Sequence, residues 1–300
     1  MTGTLPTELI QLPLLQIIAF PFNQLTGTIP STYTQIRNLI SLEVHYNSLT
    51  GTIPLEFYTD VALLQTLNVA ENHLSGSIPT LVGSTTSLRG FHLFHNFFTG
   101  TIPTEIGNLQ DLIYTQWYGN NITGTIPTQW GSLYQLQELW LYGNDLTGTI
   151  PSELFINPSI SKLTSLQIGS NPAMHGTIPN TLYTMTRLTD VRVNTMNLTG
   201  TLSTEIGQLT QLTWLEVNGN LLTGTIPSQL ALLTNLELVY LHHNLFNGSV
   251  PTAICNNRGS NYGLQVLQAD CNPTFATAAN PCICCNYCCD RSTGICLAAN

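Results

Sequence analysis

Eight cysteines form the densest group of reactive side chains in this 300-residue chain, and all of them lie between Cys255 and Cys296. Such density is typical of disulfides in an oxidising compartment. We expect a disulfide-stapled C-terminal cap, because so short a segment cannot build its own core. A metal cluster or a redox-active pair remains an alternative for C-x-C-C-x-x-C-C. The predicted disulfide residues are Cys255, Cys271, Cys282, Cys284, Cys285, Cys288, Cys289 and Cys296.

Catalytic groups are harder to find. No serine stands beside a histidine and an acid in a spacing typical of hydrolases. Glu138 has no partner column that would give the paired carboxylates of a glycosidase. His92 and His95, with His45 nearby, are better explained as surface histidines than as metal ligands. We therefore expect no enzyme activity, no cofactor and no metal site.

The charge pattern excludes several partners. Charged residues make up 8% of the chain, and 7 Lys and Arg stand against 16 Asp and Glu, for a net charge of −9. Nucleic-acid and anionic-membrane binding both depend on clustered basic residues, which this sequence lacks. No segment reaches the roughly 20 apolar residues that a membrane span needs.

A repeat positions all these residues. Gly-Thr-Ile-Pro, with small variations, begins at Gly3 and recurs ten times at steps of 24 to 28 residues, ending at Gly248. Within each repeat, as in Leu136–Asn144, leucines alternate with polar or aromatic residues, the period of a half-buried strand. A recurrent asparagine, for example Asn144, can satisfy the backbone groups of a buried turn.

The pattern L-x-x-L-x-L-x-x-N-x-L-T-G-T-I-P resembles the plant-type leucine-rich repeat of receptor-like-kinase ectodomains and polygalacturonase-inhibiting proteins. The match covers Thr2 to about Pro251, and Cys282–Asp290 resembles the cysteine-rich ends of diatom leucine-rich-repeat proteins. The resemblance implies an α/β repeat solenoid, the leucine-rich-repeat horseshoe. In it a parallel sheet lines the concave face, L-T-G-T-I-P segments add a short second sheet, and the convex side is irregular or 3-10 helical.

We divide the chain into a solenoid at 1–254 and a degenerate last repeat with its cap at 255–300. Because terminal repeats need a capping face, we expect that an N-terminal cap and a signal peptide precede this numbering. Three sequons, at Asn121, Asn197 and Asn247, predict glycosylation. With the cysteines they place the protein outside the cell or on its surface.

Two faces are candidate binding surfaces. The concave face carries rigid aromatic and polar side chains of the kind that interfaces enrich, and it predicts recognition of a protein, peptide or glycan. Its candidate residues are His45, Tyr46, His92, Phe94, Tyr114, Tyr118, Trp140, Tyr142, Arg192, Trp214, Tyr240 and His242.

The second face consists of threonines on both sides of each repeat glycine. If the segment is a strand, both point the same way, and stacked repeats resemble the flat faces of β-solenoid ice-binding proteins. Ice binding is therefore the alternative function. Its candidate residues are Thr26, Thr28, Thr50, Thr52, Thr99, Thr101, Thr123, Thr125, Thr147, Thr149, Thr199, Thr201, Thr223 and Thr225.

Overall fold

The computed structural model describes residues 1–158, 161–259, 262–270, 285–289 and 296–298. The chain forms two compact units. The first comprises Met1–Leu146 and Ile160–Lys162, and the second comprises Thr147–Ser159 and Leu163–Asn300. The boundary expected between residues 254 and 255 stays a prediction.

The first unit is built on a parallel sheet to which each repeat contributes one three-residue main strand. Neighbouring strands pair in register, so that Leu139 lies opposite Thr115 and Thr115 opposite Phe91. The main strands are Ile17–Ala19, Ser41–Glu43, Thr66–Asn68, Gly90–His92, Tyr114–Gln116 and Glu138–Trp140.

Side strands follow the main strands and carry the Thr-Gly-Thr segments. They also pair in parallel. A single parallel bridge joins Thr101 to Thr123. The side strands are Thr2–Thr4, Gln24–Thr26, Thr50–Gly51, His73–Ser77, Phe97–Thr99, Thr123–Gly124 and Asp145–Gly148.

A 3-10 helix begins directly after the proline that ends each side segment. Proline fits there because its fixed φ suits the extended residue before a helix and it has no N–H to leave unpaired. The helices of the first unit are Thr7–Gln11, Ser31–Gln35, Leu55–Tyr58, Thr80–Ser84, Thr104–Asn108 and Thr128–Ser132. Parallel sheets with 3-10 helices confirm the predicted repeat fold.

The core of the first unit is a stack of leucines, and the repeat asparagines hydrogen-bond the backbone of the turns beside it. Leu139 and Leu141 are fully buried. Asn120 shows how the turn is satisfied: its amide donates to the carbonyls of Leu93 and Trp117 at 3.1 and 3.0 Å, and its oxygen accepts from the N–H of Phe98 at 3.0 Å. Each asparagine therefore joins two neighbouring repeats.

The second unit repeats the pattern. Its main strands are Ser165–Gln167, Asp190–Arg192, Trp214–Glu216, Leu238–Tyr240 and Val266–Asp270, followed by Tyr287–Cys289 and an antiparallel Cys296–Ala298. Side strands are Ala173–Thr177 and Asn197–Thr199, and Arg258–Gly259 pairs with Tyr262–Gly263. The helices are Ser152–Phe155, Asn180–Thr184, Thr204–Gln208 and Ser228–Leu232, all 3-10, and the α-helix Thr252–Cys255.

Cys255, Cys285 and Cys289 are each disulfide-bonded. The side chains of Cys271, Cys282, Cys284, Cys288 and Cys296 lie outside the described residues, so the full disulfide framework and the resemblance to diatom cysteine-rich ends stay predictions.

Candidate functional site

A contiguous aromatic surface lies on the outward side of the main sheet in the first unit. We call it the aromatic face and define it as Phe94, His95, Tyr118, Trp140 and Tyr142. Phe94, Tyr118 and Tyr142 occupy the same position in three successive repeats, so the spacing of about 4.8 Å between paired strands brings their rings together.

The three rings stack face to face. Ring centroids are 4.6 Å apart for Phe94 and Tyr118, with 6° between the planes, and 4.4 Å apart for Tyr118 and Tyr142, with 10°. The Tyr118 hydroxyl is hydrogen-bonded to Tyr142, and burial, followed by this neighbour, raises the pKa of Tyr118 above its ordinary value. The Tyr118 phenol therefore stays neutral at physiological pH, and the stacked rings hold one another in place.

Two side chains flank the stack. His95 meets Tyr118 edge-on at 5.1 Å, and its Nδ1 lies 3.2 Å from a carboxylate oxygen of Glu71. Trp140 tilts against Tyr118 at 6.2 Å. Because each ring is held by its neighbours, these side chains would lose little conformational freedom when a ligand binds.

A polar row runs beside the aromatic face across three strands. Gln116 accepts from His92 Nδ1 at 3.1 Å and donates to Glu138 at 2.7 Å. The acceptor on Gln116 fixes the proton on His92 Nδ1. Burial is the main cause that lowers the pKa of His92, as it does for His45, so both rings are neutral at pH 7.

The other predicted residues of this unit lie in two smaller groups. Tyr46 stacks on Phe22 at 4.5 Å, and His45 meets Phe22 edge-on at 5.3 Å. Tyr114 is exposed and packs against His92, with the ring centroids 6.5 Å apart.

In the second unit the predicted residues mostly satisfy one another. Arg192 makes two 2.9 Å hydrogen bonds to Asp190 and lies 3.6 Å above the Trp214 ring. Trp214 donates to Glu216 at 2.7 Å. The guanidinium and the indole N–H are thus engaged within the protein.

Tyr240 and His242 lie further along the second unit, with the two rings 6.2 Å apart. His242 is only 9% exposed, and burial is the main cause that lowers its pKa. Its ring therefore offers little surface to a ligand.

The sequence prediction left out residues in one backbone position. Phe22, Tyr46, Glu71 and His95 each precede the repeat asparagine with φ between 51° and 55°. Only Tyr46 was among the candidates. Glycines at the same position in later repeats, such as Gly119, are the sequence signal of this left-handed conformation.

The threonine columns are exposed in both units. In the first column the hydroxyls of Thr26, Thr50, Ser75, Thr99 and Thr123 donate to a glycine carbonyl of the preceding repeat at 3.1–3.4 Å; Thr199 and Thr223 do the same in the second unit.

Threonines of the second column cover the repeat glycines. A side-chain carbon added at Gly124 would lie 2.7 Å from the Thr101 methyl carbon, and one at Gly51 would lie 3.0 Å from that of Thr28. Both columns thus have a structural role in stacking the repeats, while their outer surfaces remain accessible.

Among the described residues, no three histidine, cysteine or acidic side chains are grouped to hold a metal ion. No helix in the described part of the chain has the length and apolarity to cross a membrane.

This architecture is that of the leucine-rich-repeat proteins. The family model described as Leucine Rich Repeat matches residues 63–84, 87–109 and 135–155. The chain therefore contains leucine-rich repeats and has the leucine-rich-repeat fold, as its sequence pattern predicted. No curated protein sequence matches it.

Solved structures of plant receptor ectodomains share this fold. The plant peptide hormone receptor RGFR1, solved with RGF2, is 29% identical with a TM-score of 0.79, over 90% of this chain and 46% of that one. PEPR1, solved with AtPEP1, is 30% identical with a TM-score of 0.75, over 93% of this chain and 40% of that one. The chain thus spans less than half the length of either receptor.

A plant ice-binding protein has the same repeat fold. It is 25% identical with a TM-score of 0.62, over 88% of this chain and 76% of that one.

Proposed function

We propose that this chain is an extracellular or cell-surface recognition module that binds a peptide or protein through the aromatic face of its first unit. The stack of Phe94, Tyr118 and Tyr142 carries the proposal, because rigid aromatic side chains with polar tips supply binding energy at low entropic cost. No enzyme activity is part of this function.

Ring orientation favours a peptide or protein over a glycan. Phe94, Tyr118 and Tyr142 cover one another's faces at 4.4–4.6 Å. A sugar would need an exposed ring face, whereas edges and hydroxyl groups suit the amides and side chains of a peptide lying across the strands.

The charges on this side of the first unit indicate which peptides it would bind. The outward positions of the main strands in the first unit hold Glu43 and Glu138 but neither Lys nor Arg, and Glu71 lies in the turn after the strand Thr66–Asn68. The lowered pKa values of His45 and His92 keep both rings neutral at pH 7. A neutral or basic peptide is therefore favoured over an acidic one.

The similar structures support this function. RGFR1, a plant peptide hormone receptor, was solved in complex with RGF2, and PEPR1 was solved with AtPEP1. Their ectodomain fold, together with the sequons and the bonded cysteines of this chain, supports a location outside the cell.

The test is selection from a phage-displayed random peptide library on the purified chain. Peptides enriched on the wild type should lose at least about thirtyfold in affinity on a Trp140→Ala/Tyr142→Ala variant, since even one aromatic anchor contributes about 2 kcal/mol or more. The control is Phe97→Ala, an exposed ring on the side strands. Equal binding by the double variant and the wild type would place recognition elsewhere.

A second candidate is ice binding through the threonine columns. Their exposed methyl and hydroxyl groups and the similarity to a plant ice-binding protein favour it. Thr50→Tyr with Thr99→Tyr should then abolish thermal hysteresis and ice shaping, while Thr86→Tyr, an exposed threonine outside the columns, should not. A wild type without hysteresis or ice shaping at high concentration would rule it out.

A further inference from the structure

An exposed aromatic ring lies beside one of the three sequons. Phe97 is 55% exposed and belongs to the side strand Phe97–Thr99. One of its faces stacks on His73 of the preceding repeat, with centroids 6.0 Å apart and 19° between the planes. His73, Phe97 and Asn121 each follow directly after the asparagine of their own repeat. Asn121 therefore occupies, in the next repeat, the position that Phe97 and His73 occupy in theirs, on the side of Phe97 away from His73.

Asn121 differs from the other two sequon asparagines. Its side chain is exposed and makes no hydrogen bond within the described residues, although its backbone N–H donates to Phe98 at 2.9 Å. In contrast, the Asn197 amide donates to the Pro172 carbonyl at 2.6 Å. Asn247 directly precedes the repeat glycine Gly248 and so lies in the first threonine column, where it bridges Thr225 of the preceding repeat.

We propose that Asn121 carries an N-linked glycan whose first N-acetylglucosamine packs against the free face of Phe97. The Nδ2 atom of Asn121 forms the bond to C1 of the sugar, the bond from C1 to the pyrophosphate of a lipid carrier breaks, and the amide loses one proton. The apolar C–H face of the sugar then removes exposed ring surface from water. This inference rests on the extracellular location in the proposed function.

The glycan also bears on the choice between the two candidate functions. Side chains two residues apart in an extended segment point the same way, so a glycan on Asn121 projects from the side that carries Thr123. It covers the threonine columns of the first unit there. A glycosylated chain cannot present those columns to an ice surface.

The first experiment measures occupancy. The full chain is secreted from a eukaryotic host behind an added signal peptide, and its tryptic glycopeptides are mapped by mass spectrometry. Asn121 should be occupied in most molecules. Occupancy at Asn197 or Asn247 without Asn121 would overturn this inference alone, whereas failure of secretion with no sequon occupied would also count against the extracellular location.

The second experiment tests the contact with Phe97. Endoglycosidase H leaves one N-acetylglucosamine on Asn121, and Asn121→Gln removes it. The trimmed protein should melt about 2 °C or more above Asn121→Gln, which is the shift that about 1 kcal/mol of added stability gives in a chain of this length. In a Phe97→Ser background the difference should vanish, and the same comparison with Asn197→Gln should not depend on Phe97. An equal difference with and without Phe97 would overturn the packing.

Discussion

Thr115 is the residue whose replacement tests the core most directly. It occupies an inward position of the main sheet that Leu139 and Phe91 occupy on the neighbouring strands. Thr115 is completely buried, and its hydroxyl has no hydrogen-bond partner. Thr115→Val keeps the shape of the side chain and replaces the hydroxyl with a methyl group.

The magnitude follows from that environment. A buried polar group without a partner costs about 1–3 kcal/mol, and an added buried methyl contributes about 0.8 kcal/mol. We expect Thr115→Val to raise the free energy of unfolding by about 1–2 kcal/mol. The matched control is Thr34→Val, because the buried Thr34 hydroxyl donates to the Ser31 carbonyl at 2.8 Å. That variant should lose about 0.5–1.5 kcal/mol.

Urea unfolding followed by tryptophan fluorescence measures both variants. Trp117 and Trp130, two buried tryptophans of the same unit, report on the core around Thr115. The urea midpoint should rise for Thr115→Val with an unchanged m-value, which shows that stability and not compactness has changed. If Thr115→Val lowers the midpoint as Thr34→Val does, then the Thr115 hydroxyl has a partner and the argument fails.

Three further substitutions test other parts of the fold. Leu139→Ala should lower the free energy of unfolding by about 2–5 kcal/mol in the same assay, and a loss below about 1 kcal/mol would mean that the register is wrong. Asn120→Ala removes hydrogen bonds to three buried backbone groups, so it should cost at least about 2 kcal/mol, and faster hydrogen exchange at Phe98 should accompany the loss. Burial raises the pKa of Glu216 in the folded protein. The charged carboxylate therefore destabilises the fold once the pH exceeds the pKa that Glu216 has in the unfolded chain. Glu216→Gln should raise the Tm at pH 7 and leave it unchanged at pH 3.

The repeat fold could be predicted because each repeat restates the same pattern. The inward leucines, the asparagine ladder and the proline before each 3-10 helix are all local signals. Ser203 shows how the structure compensates for a departure. It replaces the usual proline, and its side chain accepts a hydrogen bond from the Glu205 N–H at 3.1 Å.

The candidate site could be predicted only in part. Strand alternation correctly indicates that Tyr118 and Tyr142 share a face, but it does not show that their rings stack and hydrogen-bond. Nor does it show that Arg192 is engaged by Asp190 and Trp214. Such pairings depend on rotamers, which a sequence pattern does not specify.

Backbone strain gives a reason to connect the aromatic face with function. The position before the repeat asparagine is left-handed at Phe22, Tyr46, Glu71 and His95, and Gly119 and Gly143 adopt the same conformation without penalty. Tyr46 and His95 adopt the same conformation at a cost of about 1–2 kcal/mol each. Because glycine would be more stable there, these side chains are explained by what they contact: Tyr46 stacks on Phe22, and His95 lies between Glu71 and the edge of Tyr118. Strained residues that persist in this way are common at ligand-binding surfaces. His95 is one of them and belongs to the aromatic face, while Ser170, Thr195 and His243 have the same conformation in the second unit.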